Sequence, residues 1–107
     1  MKEGWKYIAF EKCLQKVPKQ VQVKSKDYLK SGRYPIVSQE ADLISGYWND
    51  NSIVYHHEKP IVIFGDHTKN VKYIDFDFVV GADGTHILLP KVDIDTKFFY
   101  YAIKSLN

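Results

Sequence analysis

The sequence predicts an α+β domain built on a small curved sheet, mixed or antiparallel, with short flanking helices. Valine and isoleucine together number 20, against 10 for leucine and alanine, and 15% of the residues are aromatic. Such side chains fit the half-buried surface of a pleated sheet, so the composition favours strands over a helical bundle. A chain of 107 residues can bury one core but not two, so we expect residues 1–107 to form a single domain. A nucleotide-binding methyltransferase or kinase core would need a longer chain.

The first half of the chain is predicted to alternate short strands with short helices. Alternating or clustered β-branched and aromatic residues predict six strands, at residues 5–10, 20–24, 34–38, 43–48, 52–56 and 61–64. A helix is expected at 11–17, because Pro18 would end it. A helical turn is expected at 26–30, where Ser25 is a suitable N-cap and Gly32 a suitable end.

The clearest periodicity lies between residues 72 and 80. Even positions from 74 to 80 are apolar, whereas Asp75 and Asp77 fall on the other face, which predicts one continuous half-buried strand. Asp83 and Gly84 then predict a two-residue hairpin turn into a strand at 85–89. Asp95 is a suitable N-cap for a last helix. The apolar stripe of that helix comprises Phe99, Ala102, Ile103 and Leu106.

Charge is distributed unevenly along the chain. The first 33 residues carry nine cations against three acids, a net charge of +6, while the remaining 74 carry six lysines against ten acids. A basic segment of this kind indicates either a face that binds a polyanion or an ordinary solvated surface.

Cysteine usage and hydropathy favour the cytoplasm. Cys13 is the one cysteine and cannot form an internal disulfide, and no basic-then-apolar leader is visible. No apolar run approaches the ~20 residues that a membrane-spanning helix needs. We therefore expect a cytoplasmic protein with no membrane partner.

Motifs for catalysis or cofactor binding are weak. No glycine-rich phosphate loop precedes a helix, and His56 and His57 are neighbours that would point to opposite faces of a strand. No metal or other cofactor is therefore expected. Asp66 and His67 follow Gly65 at the end of a strand and leave two interpretations open. They are either a base and its partner in a small hydrolase, or the residues of an exposed turn.

Four sequence blocks from residue 34 onward occur in a distinctive order. They are YPIVSQ at 34–39 with ISGY at 44–47, PIVIFGDHTKNVKYIDF at 60–76, FVVGADG at 78–84 running into ILLPK at 87–91, and DTKFFYY at 95–101. In this order they resemble the target recognition domain of the specificity subunit of type I restriction–modification systems. Trp5 and the stretch to Leu14 resemble the entrance strand of that family, although residues 9–12 replace its usual Leu-Gly.

The resemblance implies a domain that recognises double-stranded DNA and carries no chemistry of its own. It would read one half of a bipartite target, while methyltransferase subunits, with restriction subunits as further partners, would act on the DNA. Phosphates are bound by cations and base edges by polar side chains. Phosphate contacts are expected from Lys24, Lys26, Lys30, Arg33, Lys69 and Lys72. Base contacts are expected from two loops, one with Ser38, Gln39 and Glu40, the other with Asp66, His67, Thr68, Lys69 and Asn70.

The resemblance also implies that residues 95–107 begin the conserved spacer helix of the family, of which this chain would hold the first turns. An exposed apolar stripe on that helix would favour self-association, so a homodimer through the helix is expected. The alternative function is a protein-interaction module that docks a methyltransferase subunit and does not bind DNA.

Overall fold

A computed structural model describes residues 12–106, so the strand predicted at 5–10 lies outside the described residues. The strands are β1 (Leu14–Gln15), β2 (Gln22–Val23), β3 (Tyr34–Val37), β4 (Gly46–Trp48), β5 (Val54–Tyr55), β6 (Ile61–Gly65), β7 (Val71–Ile74), β8 (Phe78–Gly81) and β9 (Thr85–Pro90). Single turns of 3-10 helix occupy Ser25–Asp27 and Asn51–Ile53, and an α-helix, α1, spans Thr96–Lys104. The α+β prediction is confirmed.

These strands form two curled sheets. The four-stranded sheet has the order β1-β9-β6-β7 and is antiparallel throughout. The five-stranded sheet has the order β2-β8-β3-β4, with β5 also paired to β8. In this sheet, β8 runs parallel to both β2 and β3. β4 runs antiparallel to β3, and β5 runs antiparallel to β8. The predicted mixture of parallel and antiparallel pairing is therefore present, divided between two sheets.

The main core lies between the two sheets. Alternate residues of β6, Ile61 and Ile63, are fully buried there against Phe78 and Val80 of β8. Because side chains alternate across a strand, the intervening Val62 points to the opposite face of the four-stranded sheet. The helix packs on that opposite face, so the layers are helix, four-stranded sheet and five-stranded sheet.

The helix α1 begins as the sequence predicts. Asp95 accepts a 2.9 Å hydrogen bond from the backbone nitrogen of Lys97, which caps the first turn. Phe99 and Ile103 are each 2% exposed and pack on Val62. Phe99 and Ile103 of the predicted stripe are thus covered within the chain, while Ala102 and Leu106 are half-buried. The burial of Phe99 and Ile103 does not require a second copy, and the homodimer stays a prediction. No helix in residues 12–106 has the length and apolar character needed to cross a membrane.

The single strand predicted at 72–80 is wrong. β7 ends at Ile74 and β8 begins at Phe78, and the two strands belong to different sheets. Asp77 lies at the crossing, where its carboxylate is 2.6 Å from His56 Nδ1 and accepts from the backbone nitrogen of His57 at 3.3 Å. Ile74 and Phe78 still enter the same buried cluster, which is why the apolar periodicity runs unbroken through the crossing.

The hairpin predicted at 82–84 is also wrong. The turn exists, and Gly84 has a φ of +66°, a conformation that glycine adopts without strain. However, β8 pairs with β2, β3 and β5, whereas β9 pairs with β1 and β6. The turn therefore carries the chain from one sheet to the other.

Two helical predictions near the N-terminus are replaced by extended structure. In the described part of 11–17, β1 pairs with β9, and Gln15 Nε2 donates to the Pro90 carbonyl at 2.9 Å. After Lys24, only the short turn Ser25–Asp27 is helical, and no side chain caps it. Leu29 instead bridges to Tyr47 of β4, because pairing with the sheet satisfies its backbone groups.

Candidate nucleic-acid interface

Loops from four distant parts of the chain meet at one edge of the molecule. β2, β3 and β8 run parallel, so their carboxyl ends lie together and the segments that follow them are neighbours. The turn between β6 and β7 joins them, since the backbone nitrogen of Asp66 donates to the Gly84 carbonyl at 3.0 Å. We call this surface the loop edge; it comprises segments 24–26, 38–42, 66–70 and 82–84.

Gln39 lies at the centre of the loop edge. Its Nε2 donates to the Asp83 carbonyl at 2.6 Å, and its Oε1 accepts from the backbone nitrogens of His67 at 3.0 Å and Thr68 at 2.9 Å. Its backbone carbonyl accepts from Thr68 Oγ1 and from Asn70 Nδ2, each at 2.8 Å. The structure therefore shows the side chains of three predicted base contacts engaged with other parts of the loop edge.

Lys72 and Ser38 lie beneath the loop edge. Lys72 is 7% exposed, and its Nζ donates to the carbonyls of Ser38 at 2.7 Å and Asp42 at 2.6 Å. Burial lowers the pKa of the Lys72 ammonium. Ser38 is fully buried, and its Oγ is 2.6 Å from Ser45 Oγ. The direct DNA contacts predicted for Lys72 and Ser38 do not fit this burial; both residues hold the 38–42 loop in place.

Residues 66–69 of the 66–70 turn are exposed, and Asn70 is half-buried. The side chain of Asp66 is 3.1 Å from His86 Nε2, and this hydrogen bond lowers the pKa of the Asp66 carboxyl, with a further contribution from Gln39. Lys69 has a φ of +63°, donates from Nζ to the Asp66 carbonyl at 2.9 Å and lies over the ring of Phe64. His67 is exposed beside them.

Two open concavities flank the 82–84 turn, each of about 560 Å³. Ala82 and Asp83 form their common wall. One concavity is otherwise lined by Gln22, Lys24, Ser25 and Lys26. The other is otherwise lined by Gln39, Glu40, Asp66, His67, Thr68 and Gly84. Two exposed lysines thus face one side of the turn, and polar groups of the loops face the other.

Two of the predicted cations are not brought to these concavities. Arg33 precedes β3, and its backbone nitrogen donates to Asn49 Oδ1 at 2.9 Å. The strand β3 separates Arg33 from the loop edge, which begins five residues later, by roughly 17 Å at the usual rise of an extended strand. Lys30 lies between Leu29, which bridges to β4, and Arg33, and it lines neither concavity.

Sequence reasoning missed Tyr28, Asp83 and His86. The Tyr28 hydroxyl donates to the Ala82 carbonyl at 3.2 Å and so ties the basic segment to the 82–84 turn, while burial raises the pKa of Tyr28. Asp83 forms the wall shared by the two concavities, and His86 pairs with Asp66. The Asp-Gly turn was visible in the sequence, but a hairpin interpretation gave no reason to place it near Gln39.

The geometry gives no support to the hydrolase interpretation. The hydrogen bond of the Asp66 carboxylate goes to His86, and the Thr68 hydroxyl beside it donates to the Gln39 carbonyl. In the part of the chain that the structure describes, no cluster of three His, Cys, Asp or Glu residues could hold a metal ion.

Comparison with known proteins finds one similarity that bears on the predicted resemblance. No protein-family model matches the chain, and no solved structure matches it. Among curated proteins, the chain is similar to the type I restriction enzyme EcoR124I/EcoR124II specificity subunit of Escherichia coli. The two are 32% identical over an alignment of 92 residues, and the match covers 83% of this chain and 23% of that subunit.

The chain is therefore similar to a type I restriction specificity subunit, and its predicted resemblance to a target recognition domain of such a subunit is confirmed. It spans about a quarter of the length of the curated relative it matches.

Proposed function

We propose that this chain is a DNA-recognition domain of a type I restriction system and that the loop edge reads one half of a bipartite target. The observation that carries the proposal is the convergence of four polar loops at one edge of a two-sheet frame. One of these loops carries two exposed lysines. Similarity to a protein named as a specificity subunit supports it. Rigid loops that display donors and acceptors suit recognition of base edges.

The two sides of the 82–84 turn would have different tasks. Lys24 and Lys26 are exposed cations that would bind phosphates, which sets the position of the domain on the duplex without selecting a sequence. Across the turn, the carboxylates of Asp66 and Asp83 are acceptors for the exocyclic amino groups of bases, and His67 can donate or accept. Lys69 would add a cation to this second side.

The domain would supply no catalytic step. Methyltransferase subunits, and restriction subunits in the full complex, would carry out methylation and cleavage at a site that this domain selects. Its role would therefore lie in the difference between its affinities for matching and non-matching duplexes.

Selection of bound sequences from a random duplex pool tests the proposal. At low salt, about 50 mM, we expect enrichment of a motif of about three or four base pairs, the span that one small module reads by direct contacts. A mobility shift with the enriched duplex, competed poorly by an unrelated duplex, would confirm it. Recovery of no motif would reject sequence-specific recognition by this chain.

A second candidate function is docking of a methyltransferase subunit without DNA contact. The observation in its favour is the exposure of three apolar side chains in and just before α1: Val92 is 87%, Phe98 72% and Tyr101 59% exposed. Retention on a methyltransferase subunit that disappears in a Phe98→Ser/Tyr101→Ser variant, without a mobility shift on any duplex, would favour it. Homodimerisation through α1 would use the exposed side chains of the same helix, Phe98 and Tyr101, and sedimentation of the parent and the double variant tests it.

A further inference from the structure

We infer that Gln39 is a positioning residue that joins the 66–70 turn and the 82–84 turn into one rigid reading surface, so that the bases read by the two turns are selected together. The inference rests on the proposed DNA-recognition function and assigns Gln39 a role other than base contact.

The amide of Gln39 bridges the two turns with one donor and one acceptor. Nε2 donates to the Asp83 carbonyl at 2.6 Å, on the 82–84 turn. Oε1 accepts from the backbone nitrogens of His67 and Thr68, on the 66–70 turn. Side chains that only accept or only donate could satisfy one turn and not the other. Glutamine is therefore suited to connect a backbone carbonyl with two backbone N–H groups.

The 66–70 turn is held by the main chain of Gln39 as well. The Thr68 hydroxyl and the Asn70 amide both donate to the Gln39 carbonyl. Thr68 Oγ1 also accepts from the backbone nitrogen of Asn70 at 3.1 Å. These bonds close a network around one residue that lies 28 to 31 positions away in sequence.

Two glycines provide an independent sign that the space around this amide is filled. A Cβ at Gly65 would collide with the Cβ and Oε1 of Gln39. A Cβ at Gly84 would lie 2.7 Å from Gln39 Nε2 and would collide with Asp66 Oδ1. One glycine ends β6 and the other belongs to the 82–84 turn, so backbone lies close to the amide on two sides.

Rigid coupling of the two turns affects recognition. If both turns move as one body, an unfavourable base opposite one turn also displaces the other. Discrimination between bases at neighbouring positions is then cooperative. Binding of phosphates by Lys24 and Lys26 is independent of the hydrogen bonds of the Gln39 amide, which we call the brace.

The test compares Gln39→Ala and Gln39→Glu with the parent chain. Amide hydrogen exchange of His67 and Thr68 reports the brace without any DNA, and selection from a random duplex pool reports recognition. In Gln39→Ala we expect exchange at both amides to rise about tenfold or more, because their acceptor is removed. We also expect the preference for the selected bases over other bases to fall about tenfold at the positions read by both turns. The salt dependence of binding should be unchanged, because no charge is removed.

Gln39→Glu separates the two halves of the brace. A glutamate keeps an acceptor for His67 and Thr68 but cannot donate to the Asp83 carbonyl. Amide hydrogen exchange at His67 and Thr68 should stay near the parent level. The base preference should fall at the positions read by the 82–84 turn. Gln20→Ala is the matched control, because Gln20 Nε2 bonds only locally, to the Pro18 carbonyl at 2.9 Å.

Each outcome bears on a different claim. Unchanged exchange at His67 and Thr68 in Gln39→Ala would overturn the brace. Faster exchange with an unchanged motif would overturn its role in recognition. Faster exchange in the core amides Val62 and Ile63 as well would mean a general loss of fold, and Gln39→Glu would then decide. If the parent enriches no motif, the DNA-recognition function fails, and the exchange data still distinguish that failure from failure of the brace.

Discussion

The two sheets differ in the way they contribute to the loop edge. The four-stranded sheet is antiparallel and contributes the 66–70 turn, which joins the sequence neighbours β6 and β7. The five-stranded sheet contributes three segments, which follow the parallel strands β2, β3 and β8 and are separated by up to 58 residues in sequence. Antiparallel neighbours can be joined by short turns, whereas parallel neighbours require long connections.

This difference shows that the local 66–70 turn becomes part of the site through contacts with loops of the other sheet, one from the backbone of Gly84 and others from the side chain of Gln39. The 66–70 turn lies next to the parallel edge, and Gln39, which follows β3, bonds to it. Lys72 of β7 makes the reciprocal connection, from the four-stranded sheet to the carbonyls of the 38–42 loop. Substitutions in the frame should therefore change stability, whereas substitutions of exposed side chains should change binding.

The largest effect is expected in the layer of α1 and the four-stranded sheet. Phe99→Ala should lower the free energy of unfolding by about 3–5 kcal/mol, because Phe99 is 2% exposed and packs on Val62. Phe98→Ala, at the adjacent and 72% exposed position, should change it by less than about 0.5 kcal/mol. Urea unfolding of both variants measures the difference. Similar losses in the two would contradict the position of α1.

A smaller loss of stability is expected for the connection between the sheets. Lys72→Met keeps most of the side-chain volume but leaves the carbonyls of Ser38 and Asp42 without their donor. The free energy of unfolding should fall by about 1–3 kcal/mol, the cost of unpaired buried polar groups. Lys26→Met, at an exposed position, should leave stability unchanged. If instead Lys72→Met is as stable as the parent and binds DNA more weakly, Lys72 contacts DNA directly.

Cations of the loop edge, at the carboxyl end of β3, should contribute to DNA binding, whereas a cation at the other end of β3 should not. A Lys24→Ala/Lys26→Ala variant removes both cations of the first concavity, so the slope of log K against log salt should fall by about 0.9 for each phosphate that is no longer neutralised. Arg33→Ala removes a cation at the opposite end of β3 and should leave the slope unchanged. Fluorescence anisotropy titrations at several salt concentrations measure both. A larger effect from Arg33 would move the interface away from the loop edge.

The smallest effect is expected for the pair of Asp66 and His86. The hydrogen bond from His86 lowers the pKa of Asp66 in the folded state, so the pair stabilises the fold above the unfolded pKa of about 4. That contribution is lost as the pH falls through the lowered, folded value. The melting temperature of Asp66→Asn should therefore lie below that of the parent at neutral pH and approach it in acid. The same substitution in a His86→Ala background should show a smaller convergence, because Gln39 still lowers the pKa of Asp66.

Much of the fold is encoded in local patterns. The strands at 34–38 and 61–64, the helix capped by Asp95 and the turn at Gly84 follow from alternation, an N-cap and an Asp-Gly pair, and all are present. The exposure of the 66–70 turn was predicted in the same way. These features depend on residues close in sequence, which is why the sequence alone was enough to place them.

Tertiary structure decided which strands are partners and which polar side chains face outward. Alternation reports that a residue is buried but not which sheet buries it, so the break at Asp75–Asp77 and the sheet change at 82–84 could not be foreseen. Lys69 lies in the 66–70 turn and Lys72 lies three residues later in β7, yet Lys72 is buried under the 38–42 loop and Lys69 is exposed. Their difference arises from chain segments about 30 residues away, because burial and hydrogen bonding depend on neighbours in space.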